Sequence, residues 1–385
     1  MEKPTATDYS PPLTAATVWS DVPETTRSLT IDFFERQALA APAAADCLRK
    51  DFYSHLIRSL LEVDSVERGR ITCLVSVKPA VINYFGGLHG GAVAAIAELV
   101  SIACARTVVA EDKELFLGEL GMSYLSAAQK NAELTVSASV VRSGRNVTVI
   151  AVEFKMRETS KLVYTAQLST ASKFVFQLIF GHFASVGALG PFADWGLSSY
   201  REGYDCKFKM EKGSGRRGAD AEVTISRQIP EAHLSRTLGF FQHQGVTADL
   251  PPNCQEKDFY SHLIRGILQV QRVERGHLTC HFCVEPAVAN FYGGLHGGAV
   301  AIIVELVSIA CARTVVAEDK ELFLGELSLS YLSAAPAKAE VVADASVVRS
   351  GRNVTVIAVE FKMKKTSKLI YTARATFYNM PIAKL

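Results

Sequence analysis

Hydrophobic and polar positions along the 385-residue chain change period several times, and each change marks an element. Residues 92–109 are apolar almost throughout, with one acid, Glu98, among them, a pattern that predicts a helix buried on every side. Residues 70–77 instead alternate and are rich in β-branched side chains, which predicts a strand. The same reading places strands near 115–125, 132–142, 147–157 and 162–169, separated by turn signals such as Ser143-Gly144-Arg145-Asn146. Upstream, Phe52, Leu56 and Leu60 stand at i, i+4 and i+8 and predict a short helix over 51–61; residues 23–37 have helix-compatible spacing too. One long apolar helix among about five strands must be wrapped by the sheet, because a helix apolar all round cannot leave a face in water.

The whole pattern then occurs a second time. Residues from Val22 to Ser172 align without a gap to those from Ile229 onward at a constant offset, and most positions between 51 and 168 are identical in the two copies. A period this long is a duplicated domain rather than a solenoid repeat, and each copy has the usual length of one domain. The expected organisation is a mobile tail over 1–20, a first domain over 21–172, a linker over 173–227, and a second domain over 228–382. Residues 207–217 of the linker are polar, basic and Gly-containing, as flexible segments are. Residues 174–193 lack Asp, Glu, Lys and Arg and are long enough to cross a bilayer. Gln177, His182, Pro191 and three glycines interrupt that stretch, and a single span would put the two copies on opposite sides of a membrane, so a linker is the preferred reading.

Composition narrows the function classes. Lys and Arg together number 41 against 39 for Asp and Glu, a net charge of +2 that offers no excess for nucleic acid or an anionic membrane surface. Cys47, Cys73 and Cys104 recur as Cys254, Cys280 and Cys311 in apolar or strand-like settings, as expected of buried thiols in a reducing compartment. Cys280 and Cys283 have CxxC spacing, but Ser76 replaces the second cysteine in the first copy, so neither a metal nor a redox centre is expected. No signal-peptide pattern opens the chain, and its last residues, Ala383-Lys384-Leu385, approach the peroxisomal address Ser-Lys-Leu; a peroxisomal or cytoplasmic location is expected.

Candidate chemistry centres on Asn83-Tyr84-Phe85-Gly86-Gly87-Leu88-His89-Gly90-Gly91, which opens the long helix, and on its repeat from Asn290 to Gly298. A helix start presents backbone N–H groups with no intrahelical partner at the positive end of the dipole, where an anion or a polarised carbonyl oxygen can be held. Glu98, about two turns on, and its counterpart Glu305 are costly on so apolar a helix unless something uses or pairs them. An ion pair with a residue such as Arg106 is the structural alternative. Asn83 and Asn290 could hold the glycine turn or orient a reactant, and His89 and His296 could stabilise the turn or move protons.

These residues resemble the hotdog-fold thioesterases, in particular the small acyl-CoA thioesterase 13 and phenylacetate-pathway group. The matching pattern is Asn83, His89, Gly90-Gly91 and Glu98, extended by Ser123-Tyr124-Leu125-Ser126-Ala127-Ala128 and the turn Arg142-Ser143-Gly144-Arg145. The resemblance covers most of each copy. It implies an α+β chain of two hotdog domains, each a long central helix wrapped by a curved antiparallel sheet, paired within the chain as a double hotdog, and self-association of such chains. It also implies two composite sites: Asn83, His89 and Gly90 with Glu305, and Asn290, His296 and Gly297 with Glu98. Tyr124 and Tyr331 would border the sites, and Arg142, Arg145, Arg349 and Arg352 would approach the nucleotide end of coenzyme A. At Leu117 and Leu324 the chain departs from the group, which carries there a serine that helps place water.

The leading expectation is therefore an acyl-CoA thioesterase without metal or cofactor, the glutamate activating water or attacking directly. A non-catalytic acyl-CoA-binding module is the alternative, as is an aromatic acyl substrate such as dihydroxynaphthoyl-CoA. Hydration or dehydration of acyl-CoA ranks last, since the hotdog families that perform it place Asp and His differently.

Overall fold

The computed structural model describes residues 18–20, 52–83, 85–110, 113–172, 224–225, 259–290 and 292–381. The possible helix at 23–37, the linker stretches 174–193 and 207–217, Cys47, Cys254 and the C-terminal tripeptide lie outside them. Within the first copy the elements are α1 (Phe52–Arg58), β2 (Leu61–Glu67), β3 (Arg70–Ser76), a single 3-10 turn (Pro79–Val81), α2 (Gly90–Arg106), β4 (Leu115–Tyr124), β5 (Glu133–Ser143), β6 (Val147–Met156) and β7 (Leu162–Ser172). The second copy repeats them as α3 (Phe259–Arg265), β9 (Leu268–Glu274), β10 (His277–Cys283), a 3-10 turn (Pro286–Val288), α4 (Gly297–Arg313), β11 (Lys320–Tyr331), β12 (Glu340–Ser350), β13 (Val354–Met363) and β14 (Leu369–Pro381). Among the described residues each copy thus has six strands rather than five. The additional one, β2, buries Leu61, Val63 and Val66 while its acids face outward.

The long helix is wrapped as expected. Every residue of α2 except Ile102 is buried, Glu98 included, and strands β3 to β7 curve around it. The chain is a double hotdog of α+β class: β4 pairs antiparallel with β11, Gly121 opposite Ser328, and fuses the two curved sheets into one of fourteen strands. On the inner side α2 and α4 lie against each other at small residues. A Cβ on Gly91 would meet the backbone of Ile302, and one on Gly298 would meet Ala95. Burial of apolar surface on both helices, at about 25 cal/mol per Å², supplies most of the drive for pairing.

Two short strands fall where only tail and linker were expected. β1 (Val18–Ser20) precedes the first copy yet pairs with β9 of the second, and β8 (Thr224–Ile225) precedes the second copy yet pairs with β2 of the first. The short helices cross in the same sense, α1 packing on the 3-10 turn of the second copy and α3 on that of the first. The CxxC spacing is resolved by strand geometry: Cys280 points into the core from β10 and Cys283 lies partly exposed on the other face. Among the described residues no helix is long and apolar enough to cross a membrane.

Burial also sets a limit on alkaline stability. The thiols of Cys73, Cys104 and Cys311 and the phenol of Tyr164 are each pushed up to about 12, primarily by desolvation. Each keeps its proton in the folded chain at a pH where the unfolded chain has lost it. Their contribution is intact below about pH 9 and is lost as pH rises through about 12. Chemical denaturation at pH 7.5 and 10.5 should show a clearly lower midpoint at the higher pH; coincident curves would contradict the burial of these groups.

Candidate active site

The loop before α2 is closed on one asparagine. Asn83 N–H donates to the Gly87 carbonyl at 2.7 Å, Gly86 N–H donates to the Asn83 carbonyl at 2.9 Å, and Gly87 N–H donates to Asn83 Oδ1 at 3.1 Å. Gly86 takes a φ of +81°, which a residue with a Cβ adopts only under strain. Leu88 N–H to the Ala128 carbonyl and His89 N–H to the Val81 carbonyl then pin the helix start to its own domain. Asn290 and Gly293 build the same loop before α4. In both loops the asparagine Oδ1 accepts from the backbone N–H of the glycine four residues on.

The helix so presented has no cap of its own. His89 occupies the N-cap position with extended backbone and makes no side-chain capping bond, leaving the first amides of α2 without a local acceptor. The other domain supplies one. Gly91 N–H donates to Glu305 Oε2 at 2.7 Å and Gly90 N–H donates to Oε1 at 3.3 Å. His89 Nδ1 lies 3.8 Å from the same Oε2, and the ring's Nε2 is bonded to Ser261 Oγ at 2.6 Å. Glu305 and His89 are buried, and the carboxylate sits at the positive end of the helix dipole.

The second site mirrors the first with differences. A Cβ on Gly297 would lie 2.6 Å from Glu98 Oε1, and His296 Nδ1 lies 3.4 Å from Glu98 Oε2. Among the described residues Glu98 Oε2 accepts no hydrogen bond, so this carboxylate is held more loosely than Glu305. The structure thus brings together Gly90, His89 and Glu305 in one cleft and Gly297, His296 and Glu98 in another, each cleft built from both domains.

Tyr124 and Tyr331 belong to these clefts. Their hydroxyls donate to the carbonyls of Gly90 and Gly297 at 2.9 and 3.0 Å. Burial first, and then the facing Glu305 or Glu98, holds both phenols well above the usual tyrosine range, so both remain donors at any working pH. Leu324 forms an apolar wall: its Cδ2 lies 2.7 Å from where a Gly90 Cβ would stand. Arg142, Arg145, Arg349 and Arg352 are exposed at the β5–β6 and β12–β13 turns. Register places the latter turn near the first cleft, since Thr355 and Leu324 both pair with Phe377.

The sequence did not single out Ser261, Tyr53 or Tyr260. The Tyr260 ring lies tilted against His89 at 5.8 Å and the Tyr53 ring tilted against His296 at 5.0 Å, and the two phenol hydroxyls are hydrogen-bonded to each other between the clefts. A Tyr-Ser pair at the same place in the short Phe-Tyr-Ser-His-Leu-Ile-Arg helix of both copies is the signal that could have found them. The rims also carry aromatic pairs, Phe85 against Phe323 at the first cleft and Tyr292 against Phe116 at the second. The Tyr292 hydroxyl additionally donates to Glu114 at 2.9 Å.

The chain is similar to several known proteins. The thioesterase superfamily model matches the chain twice, over residues 85–163 and 292–370. A Caenorhabditis elegans protein named as an esterase is 29% identical over 97 residues, 25% of this chain and 57% of that protein, so the match spans little over half of the relative. Among solved structures, acyl-CoA thioesterase II TesB2 of Mycobacterium marinum overlays 86% of this chain and 99% of its own at 11% identity and a TM-score of 0.47. The tesB protein of Mycobacterium avium subspecies paratuberculosis overlays 84% and 98% at 13% identity and a TM-score of 0.48. A thioesterase of Haemophilus influenzae overlays 31% and 80% at 24% identity and a TM-score of 0.28. With one family match in each half and one wrapped helix in each sheet, the chain is a tandem of two hotdog domains, both matching the thioesterase superfamily.

Proposed function

We propose that the chain is an acyl-CoA thioesterase with two composite active sites. The observation that carries this reading is the Glu305 carboxylate seated on the uncapped N-terminus of the other domain's helix. Its two bonds are unequal, 2.7 Å to Gly91 and 3.3 Å to Gly90. The thioester carbonyl takes over the Gly90 N–H, where the helix dipole stabilises negative charge growing on oxygen, while Gly91 keeps hold of the glutamate. Glu305, relieved of one donor, accepts a proton from water as the water oxygen bonds to the carbonyl carbon. The carbon–sulfur bond then breaks, the thiolate takes that proton, and free acid and CoA leave. Direct attack by the carboxylate, with an anhydride intermediate, uses the same geometry; single-turnover reaction in ¹⁸O-water labels the glutamate only on that route. Glu98, Gly297 and His296 repeat the chemistry in the second cleft.

Purified chain assayed for thiol release against a panel of acyl-CoA esters, short, long and aromatic, tests the proposal. A second reading, binding without turnover, is favoured by Leu324, which stands beside Gly90 where the related group carries a water-placing serine. Tight binding with no thiol release would establish that reading instead.

The exposed arginines make the CoA part testable. A guanidinium offers forked donors to phosphate. Reversing Arg142, Arg145, Arg349 and Arg352 to Glu should raise KM for an acyl-CoA about tenfold, the equivalent of 1.4 kcal/mol. KM for the matching acyl-N-acetylcysteamine ester, which lacks the nucleotide, should stay put. Equal effects on both would remove the phosphate role.

A further inference from the structure

We propose that the two clefts accept acyl groups of different shape; this assignment rests on the thioesterase reading. The cleft of Gly90 and Glu305 takes straight chains only, and the cleft of Gly297 and Glu98 also takes chains branched next to the carbonyl. The central helices α2 and α4 differ at two positions only, Ala95 against Ile302 and Ala97 against Val304, while residues 98–106 and 305–313 are the same in both. All four differing side chains are buried.

Ile302 lies one turn before Glu305 on the same face of α4, so it reaches the start of α2 together with the glutamate. A Cβ on Gly91 would stand 2.6 Å from the Ile302 Cα, and one on Gly298 would stand 2.8 Å from the Ala95 Cα. The backbones thus approach about equally at both clefts, and the clefts differ in side chains. Ile302 carries an ethyl and a methyl group beyond its Cβ, and Ala95 carries neither. Gly90 has a second aliphatic neighbour, Leu324 Cδ2, 2.7 Å from its Cβ position, whereas the three atoms nearest that position on Gly297 all belong to Glu98. Beside Gly298 the neighbour after Ala95 is the Tyr53 hydroxyl, at 2.9 Å. In a close-packed interior a branch on the substrate and a branched side chain cannot share one place. With its carbonyl oxygen on the Gly90 amide, an acyl group begins between Leu324 and Ile302, where a methylene chain can turn aside and a quaternary carbon cannot.

Pentanoyl-CoA and pivaloyl-CoA, isomers that differ only in the branching of the acyl group, test this. Glu98→Gln leaves the first cleft intact, and Glu305→Gln leaves the second. Both single variants should release thiol from pentanoyl-CoA. The pivaloyl-to-pentanoyl ratio of kcat/KM should be at least about tenfold higher in Glu305→Gln than in Glu98→Gln, the lower end of what a methylene in a pocket is worth. The intrinsic reactivity of the two esters cancels in that comparison. Ile302→Ala in the Glu98→Gln background should raise the ratio, and Ala95→Ile in the Glu305→Gln background should lower it. Equal ratios in the two single variants, which alter no packing residue, overturn the proposal. Absence of thiol release from every ester would overturn the thioesterase reading instead, and binding then decides the question of shape. Calorimetry with the ketone analogues of both esters, in which a methylene separates sulfur from carbonyl, should count two sites per chain for the straight ketone and one for the branched, with Ile302→Ala restoring the second. Equal counts in the parent chain overturn the proposal.

Discussion

Glu98→Gln and Glu305→Gln should each remove about half of the thiol release per chain, and together they should lower it by about 10²–10⁴, the usual worth of a general base. Each carboxylate reaches across to the helix start of the other domain, Glu305 to Gly90 and Gly91 and Glu98 to Gly297, so each variant disables one cleft and leaves the other complete. Gln keeps the side-chain volume and an acceptor oxygen for the amides but cannot take a proton from water. The double variant should therefore keep the far-ultraviolet circular dichroism and the cooperative unfolding of the parent. Full activity in the folded double variant would dismiss both acids from the chemistry. If either single variant lost all activity, the clefts would not be independent.

The largest stability effect is expected at Gly91. A Cβ there would stand 2.6 Å from the Cα and 2.8 Å from the backbone nitrogen of Ile302, atoms that cannot turn aside as a side chain can. Gly91→Ala must push α2 away from α4 and with it open both clefts. Overpacking of this kind costs about 1–3 kcal/mol. At the upper end, and with about 2–4 °C per kcal/mol for domains of this size, the thermal midpoint should fall by roughly 6–12 °C. Gly121→Ala is the control, because a Cβ there meets only the Gln167 carbonyl at 3.9 Å; its midpoint should move by no more than about 1 °C. Equal midpoints for Gly91→Ala and the parent would mean that the helices do not approach this closely.

Much of this architecture was legible in the residue order. The apolar run around Glu98 demanded a wrapped helix, the glycines before it demanded a tight turn, and the duplication demanded a partner domain. Strand β2 was missed because the helical spacing of Phe52, Leu56 and Leu60 runs directly into it, and only the alternation of Leu61, Val63 and Val66 against three acids separates the two periods. β1 and β8 are three and two residues long, too short for any periodic signal, and their partners lie in the other domain. Asn83 admits two roles from spacing, and its Oδ1 accepts from Gly87 N–H within the loop. Ser261 escaped for a different reason: its partner, His89, is 172 residues away, a contact that local pattern cannot carry.

At the centre of the molecule the hydroxyls of Tyr53 and Tyr260 point at one another across the line that relates the two halves. Burial keeps both phenols protonated, so along that line one oxygen gives and the other receives. A single proton thus breaks the twofold likeness that duplication created. Each of these phenol rings lies against the imidazole of one cluster, Tyr53 against His296 and Tyr260 against His89, so the two clusters differ at that contact in which phenol donates.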